Sequence, residues 1–98
     1  MSDGPLVYAY LMRHEKPELI TKTLVEKHVA HLEDLDDAGK LVLCGPFKDF
    51  KGGMVVVKAG SADEARRIAE SDPFVKSGFE SYELRTWELA NRENRYLL

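Results

Sequence analysis

Apolar and polar positions change period several times along this chain, and each change marks an element. Residues 6–12, Leu-Val-Tyr-Ala-Tyr-Leu-Met, are an unbroken apolar run rich in aromatics. That pattern predicts a strand buried on both faces. The polar stretch Arg13–Pro17 follows, and then a helical period takes over across residues 18–38. Two starts for this helix are consistent with the residues. Pro17 suits a first helical turn, whereas Thr23 and Glu26 have the Thr-x-x-Glu spacing of a capping box. Gly39 ends it.

Leu41–Cys44 predicts a second strand, closed by Gly45-Pro46, and Phe47–Gly53 a hairpin loop. Met54–Ala59 predicts a third strand. Ser61 and Glu64 form another capping-box pattern, opening a helix through Ala65, Ile68 and Ala69. Pro73 forces that helix to stop near Ser71-Asp72, and a final strand runs from about Phe79 to Leu89.

The order β-α-β-β-α-β defines an α+β, ferredoxin-like fold. It is a four-stranded antiparallel sheet with two helices on one face. The first and third strands are the most continuously apolar and are expected at the centre. The helix-free face needs a cover of its own. A second copy of the chain is the economical one, so a homodimer with a large apolar interface is expected. The tail, residues 90–98, ends Tyr-Leu-Leu and is placed to reach such a partner.

With 98 residues, the chain is long enough for a single domain spanning 1–98 and too short for two. No segment approaches a membrane span, and the N-terminus lacks the basic flank and apolar core of a secretion signal. A cytoplasmic location is expected. A net charge of −3 with scattered Lys and Arg argues against nucleic acid. The single cysteine, Cys44, excludes an internal disulfide and reads as a small buried hydrophobe.

The candidate chemistry starts from His28. On a wheel of about 100° per residue, Leu24, Val25, Leu32 and Leu35 fall within about 60° of it, while Glu26, Glu33, Asp34 and Asp37 lie on the far side. An imidazole so placed points inward and needs a hydrogen-bond partner. A backbone carbonyl would make it a core histidine. A carboxylate would make it an acid or base. Asp72, at the end of the second helix over the same sheet face, is the candidate carboxylate; its alternative role is to start the turn before Pro73. A lone carboxylate at a helix C-terminus is mildly unfavourable, which itself suggests a partner.

His31, on the shoulder of the stripe, reads as a half-exposed neighbour or pocket wall. His28 and His31 are spaced to share a metal, but a third ligand such as His14 or Asp72 would be required. No CxxC or HExxH pattern accompanies them, so neither metal nor cofactor is expected. Tyr8 and Tyr10 read as core or interface residues, with lining a cavity as the lesser alternative. Gly52-Gly53 does not precede a helix, so it is no phosphate loop.

His28-Val-Ala-His31-Leu, Gly39-Lys40-Leu41, Cys44-Gly45-Pro46-Phe47, Gly52-Gly53, Ala65, Asp72-Pro73-Phe74 and Gly78 occur in an order and spacing that resemble the YciI-like (YCII-related) family. Arg85–Leu89 resembles the end of one of its subgroups. The resemblance implies a dimeric ferredoxin-like protein whose active-site pair is a helix-one His and the Asp of Asp-Pro, here His28 and Asp72. It implies a small-molecule ligand. One branch resembles an aromatic dehydrochlorinase, and fold relatives include lactone isomerases. Elimination or isomerisation of a small cyclic or aromatic metabolite is therefore the expected chemistry, with a non-catalytic dimeric binding module as the alternative. Some relatives carry an Arg shortly before the helix His. Val25 stands there in this chain, so no anion-binding role is carried over.

Overall fold

Strand β1, Leu6–His14, organises the molecule because it pairs on both sides. The computed structural model describes residues 5–98; the first four residues, on which the secretion-signal reading bears, lie outside the described residues. β1 runs antiparallel to β3 (Gly52–Val57) and to β4 (Glu80–Glu88), and β2 (Leu41–Pro46) adds outside β3. The sheet order is β2-β3-β1-β4, so the two strands with continuous apolar runs hold the centre, as expected. The chain has the ferredoxin-like α+β architecture that the element order predicts.

Alternation along β1 sorts its side chains. Tyr8, Tyr10 and Met12 join Val55 and Val57 in the core under the helices. Val7 and Ala9 join Val56 on the other face, with Leu11, Met54 and Leu89 packed against them.

Helix α1 spans Lys22–Asp37. Neither start considered from the sequence is used. Pro17 instead opens a separate 3-10 turn, Pro17–Leu19; Ile20 is extended, and the Thr21 hydroxyl accepts from the Leu24 amide at 3.1 Å. Thr21 thereby satisfies an orphan donor of the first turn. Thr23 lies inside that turn and cannot cap it. At the other end Gly39 takes a φ of +72°. Its amide bonds to Asp36 O, and the Lys40 amide to Leu35 O, which completes a Schellman closure.

Helix α2, Ala62–Ser71, buries Ala65 and Ala69 completely. Ser61 caps it by accepting from the Glu64 amide at 3.1 Å. The Glu64 carboxylate departs from the reciprocal box. It accepts from the Gly60 amide and from Lys40 Nζ at 3.1 Å, which ties the helix start to the end of the α1–β2 connection.

A third short helix, α3 (Pro73–Lys76), follows directly, with Asp72 as its N-cap. Asp72 is thus at a favourable helix start as well as at the unfavourable helix end read from the sequence. Pro at the first helical position after Asp is the local signal for this arrangement.

Only Leu35 of α1 is buried; Leu24, His28 and Leu32 are half-buried, and Val25 and Val29 are exposed. The N-terminal part of the stripe faces a cavity rather than packed sheet. Cys44 corrects an expectation: it is exposed, because it sits on edge strand β2 where that strand borders an open cavity rather than packed core. Among the described residues no helix is long and apolar enough to cross a membrane.

Candidate active site

The cavity lies between the sheet and α1 and has a volume of about 350 Å³. Val25, His28 and Leu32 form its helical wall, at the i, i+3, i+7 spacing of one helix face. Met12 and His14 of β1 and Glu80 of β4 contribute from the sheet; Phe74 of α3 closes one side, and Cys44 with Pro46 borders β2. Gly53 pairs with Met12 in the register and leaves the floor open where another residue would project. A Cβ there would stand 2.7 Å from the Gly45 carbonyl oxygen, and one at Gly52 would overlap the Met12 carbonyl oxygen, so both positions exclude side chains.

His28 Nδ1 lies 2.7 Å from Asp72 Oδ1. Asp72 is completely buried. Its Oδ2 accepts from the Tyr10 hydroxyl at 2.8 Å, and its Oδ1 also accepts from the Phe74 amide at 3.0 Å. Three donors converge on one carboxylate, which acts toward each of them as the acceptor. A carboxylate only accepts, so Nδ1 carries the hydrogen, and Nε2 is the nitrogen left for the cavity. Burial, with Asp72 adjacent, pushes the Tyr10 hydroxyl far above the ordinary phenol range, which fixes it as a donor. The Phe74 ring stacks on the His28 imidazole at a centroid distance of 3.8 Å and an interplanar angle of 4°, so the ring plane is held from the side as well.

A second histidine–carboxylate pair lines the same cavity. His14 and Glu80 are direct cross-strand partners in the β1–β4 register, with Nε2 and Oε2 3.2 Å apart. Glu80 is buried, and burial pushes its carboxyl up to about 7; His28 opposes the rise and Asp72 adds to it. Phe79 packs its ring against His14 and against Phe74, at 4.6 and 5.0 Å, so aromatic contacts link the two pairs.

The sequence model of the YCII-related domain matches residues 7–88, which hold both pairs. The chain belongs to the YCII-related family. This YCII-related domain is 35% identical over 83 residues to the uncharacterized protein YjpA of Bacillus subtilis (strain 168), a match covering 85% of this chain and 98% of YjpA. Its fold is similar to that of 5-chloro-2-hydroxyhydroquinone dehydrochlorinase (TftG) from Burkholderia phenoliruptrix AC1100, solved in complex with 2,5-dihydroxybenzoquinone. The TM-score is 0.61 at 24% identity, with 88% of this chain and 97% of that one covered.

Within the YCII-related domain, His28 and Asp72, 44 residues apart, are brought into contact. His31 lies outside the residues that line the cavity, so of its two readings the half-exposed neighbour holds and the pocket wall does not. Among the described residues its buried Nε2 has no hydrogen-bond partner, and burial pushes the imidazole below its ordinary pKa, with Asp72 opposing. Val25 makes the wall beside His28 apolar. Among the described residues no three His, Cys, Asp or Glu side chains are placed to hold one metal ion.

Sequence reasoning passed over Tyr10 as core and did not single out Glu80. Strand parity held a signal for both. Tyr10, Met12 and His14 share a face of β1, and Glu80 shares a face of β4 with Tyr82 and Leu84.

Proposed function

We propose that this protein is an acid–base enzyme that needs no cofactor and acts by elimination or isomerisation on a small cyclic or aromatic metabolite. In this reading His28 Nε2 moves the proton, and Asp72 fixes the tautomer and balances the imidazolium that forms. The observation that carries the proposal is the 2.7 Å contact between Nδ1 and a fully buried carboxylate at the wall of a cavity. A volume of about 350 Å³ suits a substituted six-membered ring and lies within the range of small-molecule sites, roughly 300–1,000 Å³. The similarity to a dehydrochlorinase, whose reaction is an elimination, favours the same class of chemistry.

Chloride release from 5-chloro-2-hydroxyhydroquinone and NMR shifts of the His28 ring on adding 2,5-dihydroxybenzoquinone test this reading. His28→Gln is expected to lower turnover about 10²–10⁴-fold while the protein stays folded. Turnover by His28→Gln equal to that of the wild type would remove His28 from the chemistry.

A second reading has its own support. Asp72 also caps α3 and anchors Tyr10, so the contact serves a non-catalytic ligand-binding module equally well as a structural bond. Under that reading the quinone would bind the wild type and chloride release would stay at the buffer rate.

The homodimer belongs to the same proposal. Leu43 and Trp87 pair with Val56 and Val7, on the helix-free face, and remain 55% and 44% exposed. These residues, flanking the Val7–Ala9–Val56 patch, favour sheet-on-sheet association. Light scattering at micromolar concentration is expected to give twice 11.1 kDa, and a monomer mass would overturn the dimer.

A further inference from the structure

We infer that Glu80, held by His14, is a second catalytic group of this cavity: a carboxylic acid that gives its proton to a neutral ring carbonyl while His28 takes a proton from the neighbouring carbon. The inference rests on the acid–base reading of His28 and assigns the substrate class within it. Three observations carry it. First, Glu80 is a buried carboxyl that lines the cavity, and among the described residues the basic side chain placed against it is an imidazole, His14, 3.2 Å away. An imidazole can share one proton with a carboxyl, whereas Lys or Arg would keep it ionised. Second, the two pairs come from different layers. His28 projects from α1, and Glu80 and His14 from the ends of β4 and β1, so a flat ligand between helix and sheet meets one group from each layer. Third, among the described residues no Lys or Arg lines the cavity; its ionisable side chains are His14, His28, Cys44 and Glu80. A substrate carrying a carboxylate or phosphate would find no fixed cation there, and a neutral ring with a hydrogen-bond acceptor would be accepted.

The C–H bond beside the carbonyl breaks, and its proton goes to His28 Nε2. The electron pair forms C=C, the carbonyl π pair moves to oxygen, and the Glu80 O–H bond breaks to protonate that oxygen. The products are an enol, an imidazolium and a carboxylate. One proton lost from His28 to solvent and one gained by Glu80 from solvent restore the site.

The groups that set Glu80's protonation are His14 on β1, His28 on α1 and Asp72 at the α2–α3 junction, with Cys44 of β2 on the same cavity wall. Burial places the Glu80 carboxyl at about 7, so it holds a proton in the range where a neutral imidazole still works as a base.

Deuterium incorporation next to the carbonyl of cyclohexenone, followed by proton NMR in D₂O with the full chain, tests the inference. The wild type is expected to exceed buffer, with an alkaline fall in rate as Glu80 ionises. Glu80→Gln is expected to slow exchange at least tenfold and to abolish the alkaline fall; Glu80→Asp, which keeps the acid, is expected to recover part of the rate. Carbon-13 titration of the Glu80 carboxyl supplies a second readout independent of turnover. If His28→Gln abolishes exchange but Glu80→Gln matches the wild type in rate and pH profile, the Glu80 role is overturned and the His28 reading stands. If His28→Gln matches the wild type, the reading beneath both fails. Exchange no faster than buffer in the wild type, or Glu80 titrating in the ordinary carboxylate range, also overturns the inference.

Discussion

Asp72→Ala is expected to cost the fold about 3–5 kcal/mol, in the range seen when a buried charged partner is removed and its neighbours are left unpaired. The side chain is completely buried and accepts from the Tyr10 hydroxyl, from His28 Nδ1 and from the Phe74 amide. Truncation leaves the Tyr10 hydroxyl in the core without its acceptor and takes the cap from α3. The His28 ring then loses its orienting bond, although it keeps the stack on Phe74. Asp72→Asn is expected to cost less, about 1–2 kcal/mol, because the amide oxygen still accepts and a tyrosine hydroxyl can itself accept from the new NH₂. With the amide oxygen in the place of Oδ1, His28 Nδ1 should keep its hydrogen, seen as an unchanged tautomer in the nitrogen-15 shifts of the ring. Urea titration checks the ranking: the midpoint should move with little change in slope. A loss below about 1 kcal/mol for Asp72→Ala would mean that the three donors find other partners.

How much of this site was legible in the sequence depended on whether its geometry is local or set by register. The helical stripe around His28 is a local pattern, and it placed the imidazole inward without any tertiary knowledge. Both-sided burial of β1 and β3 was legible because their apolar runs do not alternate. The partner of His28 was a different matter. The residues alone favoured a backbone carbonyl as that partner, and only the family resemblance raised Asp72 above it. The start of α1 was ambiguous because Pro17 and Thr23 both have cap or first-turn chemistry; the extended Ile20 after the 3-10 turn instead leaves Thr21, which was not considered, as the cap. Cys44 was misplaced because a strand's apolar content does not say whether a position faces packed core or an open cavity. Glu80 and His14 meet only because β1 and β4 pair in one register across a separation of 66 residues, and parity along one strand cannot supply a register between two.

Glu80 should make the fold less stable at pH 8 than at pH 4, and Glu80→Gln should remove that dependence. The carboxyl rises from an ordinary value of 4.5 to about 7 in the folded chain, with burial the main cause. The folded state therefore binds more protons than the unfolded one between those two values, so stability falls as pH rises through the interval. Its contribution is fully present below pH 4.5 and lost above about 7. At about 1.4 kcal/mol per unit, the loss amounts to about 3 kcal/mol. Glu15 and Glu64, whose carboxyls sit below the ordinary value through hydrogen bonds to Ser81 and to the Gly60 amide, act in the opposite sense at acidic pH. The informative quantity is therefore the difference between wild type and Glu80→Gln at each pH. That difference is expected to be small near pH 4 and to favour the variant by up to about 3 kcal/mol at pH 8, the sign expected of a residue placed for chemistry rather than stability. Superimposable stability profiles for the two proteins would mean that the buried carboxyl ionises without penalty. In that case His14, 3.2 Å away, would be holding Glu80 as an ordinary ion pair rather than sharing its proton.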